Sequence, residues 1–195
     1  MKRAHCLVLA AVVSSLASSA TPARAQSDAA PDREGASAGV QLGYGFDSAY
    51  KFGLGVRGGY TLAQKVYLGG TFVYHFGESQ SAGGITSSEH LLYVGPEGGY
   101  DIVIPSAPQI LIRPYLGLGF ESVSVSNSGS VVVNGVAVAA AGSASASGFS
   151  FWPGVTGLYS FTPSLSAGLD ARVVVATFGG GDTTFALFLA GQYKF

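Results

Sequence analysis

The stretch Phe185-Ala-Leu-Phe-Leu-Ala-Gly-Gln-Tyr-Lys-Phe195 decides the fold of this chain. In steps of two from Phe195 back to Phe185, the positions hold aromatic and aliphatic residues and a single glycine. The intervening positions hold mainly small or polar residues, among them Lys194. Because successive side chains of a β-strand point to opposite faces, this pattern predicts a strand with one apolar face. Its eleven residues match the length of about 9–11 residues with which a tilted barrel strand crosses a bilayer.

Seven further segments repeat this alternation, and in them glycines and charged residues share the second face. The eight predicted strands cover residues 36–46, 51–60, 66–76, 91–102, 110–121, 148–161, 165–176 and 185–195. A soluble barrel of the lipocalin type would have its apolar side chains inside and its polar side chains outside. The shared face of glycines and charges argues against that arrangement. We therefore predict an all-β fold, an eight-stranded antiparallel up-and-down transmembrane β-barrel.

The composition agrees with a membrane barrel rather than a helical membrane protein. Charged residues make up 11% of the chain, which is less than half the usual share. Hydrophobic residues make up 48%, yet beyond the N-terminus no apolar run reaches the roughly 18 residues that a transmembrane helix requires. The net charge of −1 leaves no basic stripe, so nucleic acid is not an expected partner.

The N-terminus has the three parts of a secretory signal peptide. Lys2 and Arg3 form a basic region, residues 6–16 form an apolar region, and Ala23-Arg24-Ala25 fits the small-residue cleavage pattern. The only cysteine, Cys6, lies within this segment, so the mature chain is expected to contain no disulfide. We therefore predict a signal peptide over residues 1–25, a disordered periplasmic linker over residues 26–35 and an outer-membrane barrel domain over residues 36–195.

The lengths of the connections predict which end of the barrel faces the cell exterior. The short connections are residues 61–65, 103–109 and 162–164, and the long ones are residues 77–90 and 122–147. Bacterial barrels have short periplasmic turns and longer outer loops, so the long connections are predicted to be exposed outside the cell. Within the longer one, Asn134-Gly135 is a two-residue turn signal and predicts an extended hairpin.

The inward face of the predicted barrel carries charges of both signs. These residues are Lys51, Arg57, Glu97, Asp101, Arg113, Glu121, Asp170, Arg172 and Lys194. An eight-stranded barrel is only wide enough inside for side chains, and buried ions must be paired, so we predict a structural ion-pair network. We expect Arg113 to lie diagonal to Glu97 and Asp101, and Asp170 to face Gln192 with Lys194 one step along. A narrow path for ions or small solutes is the alternative.

Three prolines are placed where a closed sheet disfavours them. Pro96, Pro114 and Pro153 fall in the middle of predicted strands, and each lacks the N–H that a ladder hydrogen bond requires. We predict bulges or missing ladder bonds at these positions.

Two histidines allow a catalytic alternative to be considered. His75 is expected inside near the outer rim, and His90 ends the loop before the fourth strand, with serines and glutamates nearby in sequence. These residues could supply the Ser-His-Glu triad of a lipid hydrolase, but proximity in sequence alone does not establish the geometry of a triad. The residues also lack the spacing of a metal site. We therefore predict no catalytic residues, no metal and no cofactor.

Four motifs resemble the outer membrane protein β-barrel domain family, the small barrels of the OmpA/OmpX type. They are Arg113-Pro-Tyr-Leu-Gly-Leu-Gly-Phe120, Phe151-Trp-Pro-Gly154, Thr162-Pro-Ser-Leu-Ser-Ala-Gly-Leu-Asp-Ala-Arg172 and Gly191-Gln-Tyr-Lys-Phe195. The resemblance implies a non-enzymatic, porin-like or adhesin-like protein of the Gram-negative outer membrane. Its implied roles are envelope integrity or surface interaction, and only sometimes transport.

The resemblance also implies partners. In such proteins the C-terminal strand is recognised during membrane insertion, so Tyr193 and Phe195 are the expected insertion signal for the barrel assembly machinery and periplasmic chaperones. Outer-membrane lipid and lipopolysaccharide are the expected surroundings. The sequence leaves the surface partner and the oligomeric state open.

Overall fold

The computed structural model describes residues 33–133, 136–139, 141–178 and 183–195. These residues form eleven β-strands: β1 (Gly35–Gly45), β2 (Phe52–Leu62), β3 (Val66–His75), β4 (Ser79–Ala82), β5 (Ile85–Tyr100), β6 (Ile102–Ile104), β7 (Ala107–Val133), β8 (Val136–Ala139), β9 (Gly142–Ser160), β10 (Leu165–Ala176) and β11 (Thr183–Lys194). In this part of the chain, no helix is long and apolar enough to cross a membrane.

Eight of these strands close into a ring, as predicted. Each strand of the series β1, β2, β3, β5, β7, β9, β10 and β11 pairs antiparallel with the next. The ring closes between β1 and β11, with a register that runs from Ser37 opposite Lys194 to Gly45 opposite Ala186. The closed ring leaves no unpaired edge within the barrel, which a lipid environment requires.

The two faces of the barrel wall differ as the alternation predicts. Large apolar side chains point outward, for example Val40 and Leu189, which are 65% and 62% exposed. Trp152, Tyr93 and Phe188 point inward and have no exposed surface. The outward surface is therefore suited to lipid and the inward surface is packed.

The first of the two long outer connections is more ordered than the sequence predicts. Residues 77–90, predicted as a loop, contain β4 and the start of β5, which pair from Ser79 opposite Ser88 to Ala82 opposite Ile85. The turn between them is Gly83-Gly84, with φ values of +59° and +84°, the left-handed conformation that a two-residue hairpin turn needs.

The predicted hairpin over residues 122–147 is confirmed along most of its length. β7 and β9 remain paired above the barrel, from Ser122 opposite Ser147 to Asn127 opposite Gly142. β8 then pairs with the end of β7, from Ser130 opposite Ala139 to Val133 opposite Val136. The predicted turn residues Asn134-Gly135 lie outside the described residues.

The three strand prolines interrupt the ladder without shifting the register. Pro96 and Pro153 each fall in a gap of one ladder, between β5 and β7 and between β9 and β10, and both gaps keep the same register on either side. Pro114 lies opposite the break between β5 and β6. The missing ladder pairs are as predicted, whereas a bulge at these positions is not seen. Each proline pairs normally with its other neighbour strand.

Candidate functional site

The centre of the lumen is occupied by a cluster of four charged side chains. This central cluster consists of Arg57 from β2, Glu97 from β5, and Asp170 and Arg172 from β10. All four are at inward positions and are at most 8% exposed. Arg57 links the two carboxylates, since its Nε lies 2.7 Å from Glu97 Oε2 and its Nη1 lies 3.0 Å from Asp170 Oδ2.

Asp170 is the most highly coordinated member of the central cluster. Arg172 donates from Nε to Oδ1 at 2.7 Å, and its Nη2 lies 2.6 Å from the same oxygen. Tyr115 donates its hydroxyl to Oδ1 at 2.9 Å, and Thr156 donates its hydroxyl to Oδ2 at 2.5 Å. The Asp170 carboxylate therefore contacts two guanidinium groups, and neutral donors fill its remaining acceptor sites, while Glu97 supplies the second negative charge of the cluster.

Aromatic rings complete this layer. Trp152 donates from Nε1 to Glu97 Oε1 at 2.9 Å. The Arg57 guanidinium lies 4.5 Å from the centre of the Tyr115 ring, and that of Arg172 lies 4.6 Å from the centre of the Phe188 ring. These are cation–π distances, so the rings stabilise charges that have been removed from water.

A second ion pair lies below the central cluster, towards the predicted periplasmic end. Arg113 donates to Asp101 through two nitrogens, from Nε at 2.5 Å and from Nη2 at 2.8 Å. Its guanidinium lies 3.8 Å from the centre of the Tyr67 ring. Asp101 is thus the carboxylate that pairs with Arg113. The other carboxylate predicted near Arg113, Glu97, pairs with Arg57 instead.

Three of the residues assigned to the lumen network, Lys51, Glu121 and Lys194, lie away from these pairs. Lys51 precedes β2 at the outer rim and contacts Glu78 at 3.9 Å, with 28% of its side chain exposed. Glu121 is buried near that rim and accepts a hydrogen bond from the hydroxyl of Tyr50. Sequence reasoning missed Tyr50, because it lies in a predicted turn rather than in a strand.

The predicted pairing of Lys194 with Asp170 is wrong. Asp170 lies opposite Phe188, and Gln192 lies opposite Ser166, so Lys194 is six residues further along β11 than the partner of Asp170. At about 3.3 Å per residue, that separation is about 20 Å. Lys194 instead lies at the end of the barrel, where it pairs in register with Ser37.

Free space around the central cluster and around Arg113 is small, whereas a cavity of about 260 Å³ lies nearer the outer rim beside Tyr50 and Glu121. One cavity beside Arg57, Tyr67 and Thr156 measures about 10 Å³. Another, nearer the predicted periplasmic end and lined in part by Arg113 and Asp101, measures about 30 Å³. A cavity of that size holds about one or two water molecules.

The outer extensions of β7 and β9 reverse the polarity of the barrel wall, and that of β5 has polar residues on both faces. Within the barrel, the outward positions of β7 and β9 end at Phe120, which lies opposite Phe149. The next outward pair is Ser122 with Ser147, whose hydroxyls are 2.9 Å apart. Above this level the inward positions of β7 and β9 are mainly apolar, beginning with Val123, whereas those of β5 include Glu89 and Ser87. The sequence indicates this change, because the serines of residues 122–126 occupy the alternate positions that hold outward-facing side chains earlier in β7.

The family of the chain follows from comparison with known proteins. A family model described as the outer membrane protein beta-barrel domain matches residues 8–195. This chain belongs to that family. As a member, it is a β-barrel protein of the outer membrane.

Solved structures agree with the barrel fold of this outer-membrane protein. A major outer membrane protein from Thermus thermophilus is 14% identical with a TM-score of 0.60, and the match covers 82% of this chain and 99% of that one. A second match is the structure of Ail, the attachment invasion locus protein of Yersinia pestis, in complex with the heparin analogue sucrose octasulfate. It is 16% identical with a TM-score of 0.51, and the match covers 82% of this chain and 96% of that one. At such identities the likeness shows the fold alone. Among curated proteins, none matches this sequence.

The geometry of this outer-membrane barrel also argues against a hydrolase built on its histidines. His75 is fully buried inside, where Nδ1 lies 3.0 Å from the carbonyl oxygen of Lys51. His90 lies on the outward face and stacks on Tyr74 with ring centres 6.1 Å apart. The barrel wall therefore separates the two histidines. Among the described residues, no group of three or more His, Cys, Asp and Glu is arranged to hold a metal ion.

Proposed function

We propose that this outer-membrane barrel is a closed structural scaffold that presents its extended outer hairpins, residues 77–90 and 122–147, for surface interactions. The observation that carries the proposal is the contrast between the two parts of the structure. The lumen is crossed by the central cluster and its aromatic neighbours, while β5, β7 and β9 continue above the level of Phe120 and Phe149 into an ordered sheet.

The filled lumen supports a structural role over a pore. Arg57, Glu97, Asp170 and Arg172 come from three strands on different sides of the barrel and contact one another directly. Removing such a buried pair from its partners costs several kcal/mol, so opening a path through this layer would be costly. A hydrated ion would also need far more space than the cavities of about 10 and 30 Å³ provide.

A truncated variant tests both halves of this proposal. Glu121 pairs directly with Gly148, so Ser122–Ser147 can be replaced by a two-residue Asn-Gly turn without changing the barrel register. We expect the truncated chain to fold in phospholipid vesicles with unchanged heat-modifiability on gels. In planar bilayers, neither the full-length nor the truncated barrel should show ohmic conductance.

The conductance measurement also identifies the competing function. Steady ohmic steps that change in size when Arg113 or Glu97 is neutralised would establish a pore and overturn the closed scaffold. Failure of the truncated chain to fold would show that the hairpin is part of the barrel's folding unit rather than a surface module.

We further propose that Tyr193 and Phe195 form the insertion signal read by the barrel assembly machinery and periplasmic chaperones, after removal of a signal peptide over residues 1–25. The linker predicted over residues 26–35 would then lie in the periplasm and end at residue 34, because Gly35 is already the first residue of β1. Support comes from the exposure of the two rings, 50% for Tyr193 and 77% for Phe195, which pack edge to face with centres 5.3 Å apart. Exposed rings at a barrel end are available to a receptor.

Replacing Phe195 by alanine should therefore impair insertion in cells much more than folding in vitro. We expect the amount of assembled protein in the outer membrane to fall about tenfold, which corresponds to about 1.4 kcal/mol of lost recognition. Refolding into lipid vesicles should be nearly unchanged. Phe161→Ala is a matched control, because Phe161 is also exposed near this end at 56%. Equal loss of assembly in both variants would contradict a specific signal.

A further inference from the structure

The outward face of the sheet above the barrel is covered with hydroxyl groups. We call it the serine face. It consists of Ser79, Ser81, Thr86, Ser88, Ser122, Ser124, Ser126, Ser128, Ser143, Ser145 and Ser147. Paired residues of neighbouring strands share a face, and the registers place these side chains in rows across β4, β5, β7 and β9.

The rows are regular in both directions. Ser79, Ser88, Ser126 and Ser143 form one row across all four strands. Hydroxyls within rows contact each other, at 3.0 Å for Ser79 with Ser88 and 2.9 Å for Ser81 with Thr86. Strand spacing and residue rise set a grid of about 4.8 Å by about 6.7 Å between neighbouring side chains.

The serine face continues the lipid-facing surface of the barrel. Its lowest row, Ser122 with Ser147, follows directly on the outward pair Phe120 and Phe149, which are 49% and 64% exposed. Aromatic side chains mark the level where hydrocarbon gives way to headgroups. The surface that contacts acyl chains below this level therefore contacts headgroups immediately above it.

The serine face carries no formal charge among its described members. Its eleven side chains all carry hydroxyl groups, and the ionisable group found beside them in the described part of the chain is His90, which lies opposite Ser124. A surface that serves only solubility normally carries about 25–35% charged residues of both signs. An uncharged array of donors and acceptors is suited instead to neutral polar groups, and it offers no cation for a phosphate.

We propose that the serine face binds the sugar headgroups of the surrounding outer-leaflet glycolipid. This inference rests on the proposed role of the outer hairpins in surface interaction, and it assigns that role a partner chemistry. Sugar hydroxyls both donate and accept hydrogen bonds, as serine hydroxyls do, and they lie at the level that the lowest rows reach. The acyl chains of the same molecules would contact the aromatic side chains directly below.

The test compares glycolipids with and without sugars beyond lipid A. The folded full-length protein is placed in nanodiscs of phosphatidylcholine that contain either rough lipopolysaccharide with its core sugars or lipid A without them. Bound glycolipid per barrel is measured by native mass spectrometry, together with hydrogen exchange of residues 122–126 and 143–147. We expect the core-bearing glycolipid to bind about tenfold more tightly and to slow exchange in both segments.

A triple variant and a matched control locate the effect. Ser124→Ala/Ser126→Ala/Ser145→Ala should reduce the preference for core sugars about tenfold, as expected when one or two hydrogen bonds are lost. Ser160→Ala/Ser166→Ala removes another hydroxyl pair, 3.0 Å apart at the opposite end of the barrel, and should have no effect. Both variants should remain folded by heat-modifiability.

Three results would overturn this inference. The first is equal binding of lipid A and core-bearing glycolipid by the unchanged protein. The second is an unchanged preference in the triple variant. The third is equally tight binding of free core oligosaccharide from solution, which would assign the face to soluble glycans rather than to the leaflet. None of these results depends on conductance or on truncation of the hairpin. Failure of this inference would therefore not contradict the closed scaffold, which those two measurements test.

Discussion

Replacing Asp170 by asparagine is expected to lower the free energy of unfolding of the barrel by about 3–5 kcal/mol. Asparagine has nearly the same volume, but its single oxygen can accept only one of the two hydrogen bonds that Thr156 and Tyr115 donate to the two oxygens of Asp170. It cannot balance Arg57 and Arg172, both of which lie within 3.0 Å of the Asp170 carboxylate. Glu97 would then face two buried guanidinium groups alone, and an uncompensated buried charge is costly.

The measurement is reversible urea unfolding of the barrel in phospholipid vesicles. Asp47→Asn is the matched control, because Asp47 is an exposed rim carboxylate that accepts hydrogen bonds from Ser48. Its effect should stay within about 0.5 kcal/mol. A loss below about 1 kcal/mol for Asp170→Asn would contradict the assignment of this carboxylate as the centre of the network.

A double variant separates charge balance from packing in the same assay. Asp170→Asn combined with Arg172→Gln removes one charge of each sign and leaves Arg57 paired with Glu97 at 2.7 Å. We expect the double variant to be more stable than the sum of the two single losses predicts, because interacting sites are not additive. Strict additivity would mean that the two residues contribute independently.

The second large effect is expected from adding a single methyl group at Gly117. A Cβ at this inward position would overlap the indole of Trp152, which is fully buried and donates to Glu97. Gly117→Ala should therefore cost about 1–3 kcal/mol of unfolding free energy, the usual range for overpacking. It should also weaken the contact of Trp152 with Glu97.

Gly157→Ala provides the matched control, since a Cβ at Gly157 meets no atom within 4 Å. We expect it to leave stability within about 0.5 kcal/mol of the unchanged protein. Combining Gly117→Ala with Trp152→Phe tests the cause, because phenylalanine lacks the indole N–H edge that the methyl group would meet. If Gly117→Ala costs as much in the Trp152→Phe background as in the unchanged protein, the overlap is not the cause.

The alternation of the sequence is sufficient to predict the barrel, because a period of two fixes the face on which each side chain lies. It does not fix partners across strands. Shifting the centre of a connection by two residues moves every cross-strand pair by four residues and leaves each side chain on its own face. For this reason the sequence correctly predicts Asp170 inside the barrel, whereas the predicted partner Lys194 is wrong.

The hairpin within residues 77–90 was not predicted from the sequence, for a different physical reason. Strand prediction relies on apolar residues at alternate positions, and a hairpin above the membrane does not need an apolar face towards lipid. β4 has the sequence Ser-Gln-Ser-Ala, which contains no such pattern. The two adjacent glycines, Gly83 and Gly84, are the available signal, because they permit the tight turn that joins β4 to β5.

The outer sheet rises above only part of the barrel's circumference. It continues from β5, β7 and β9, whereas β1 and β2 are joined by the short segment Phe46–Lys51. The molecule therefore has two unlike flanks in the plane of the membrane. A neighbouring protein beside β1 and β2 would meet the lipid-facing wall alone, whereas one beside β7 would also meet the sheet above it. Lateral packing in a crowded membrane would therefore differ between these two flanks.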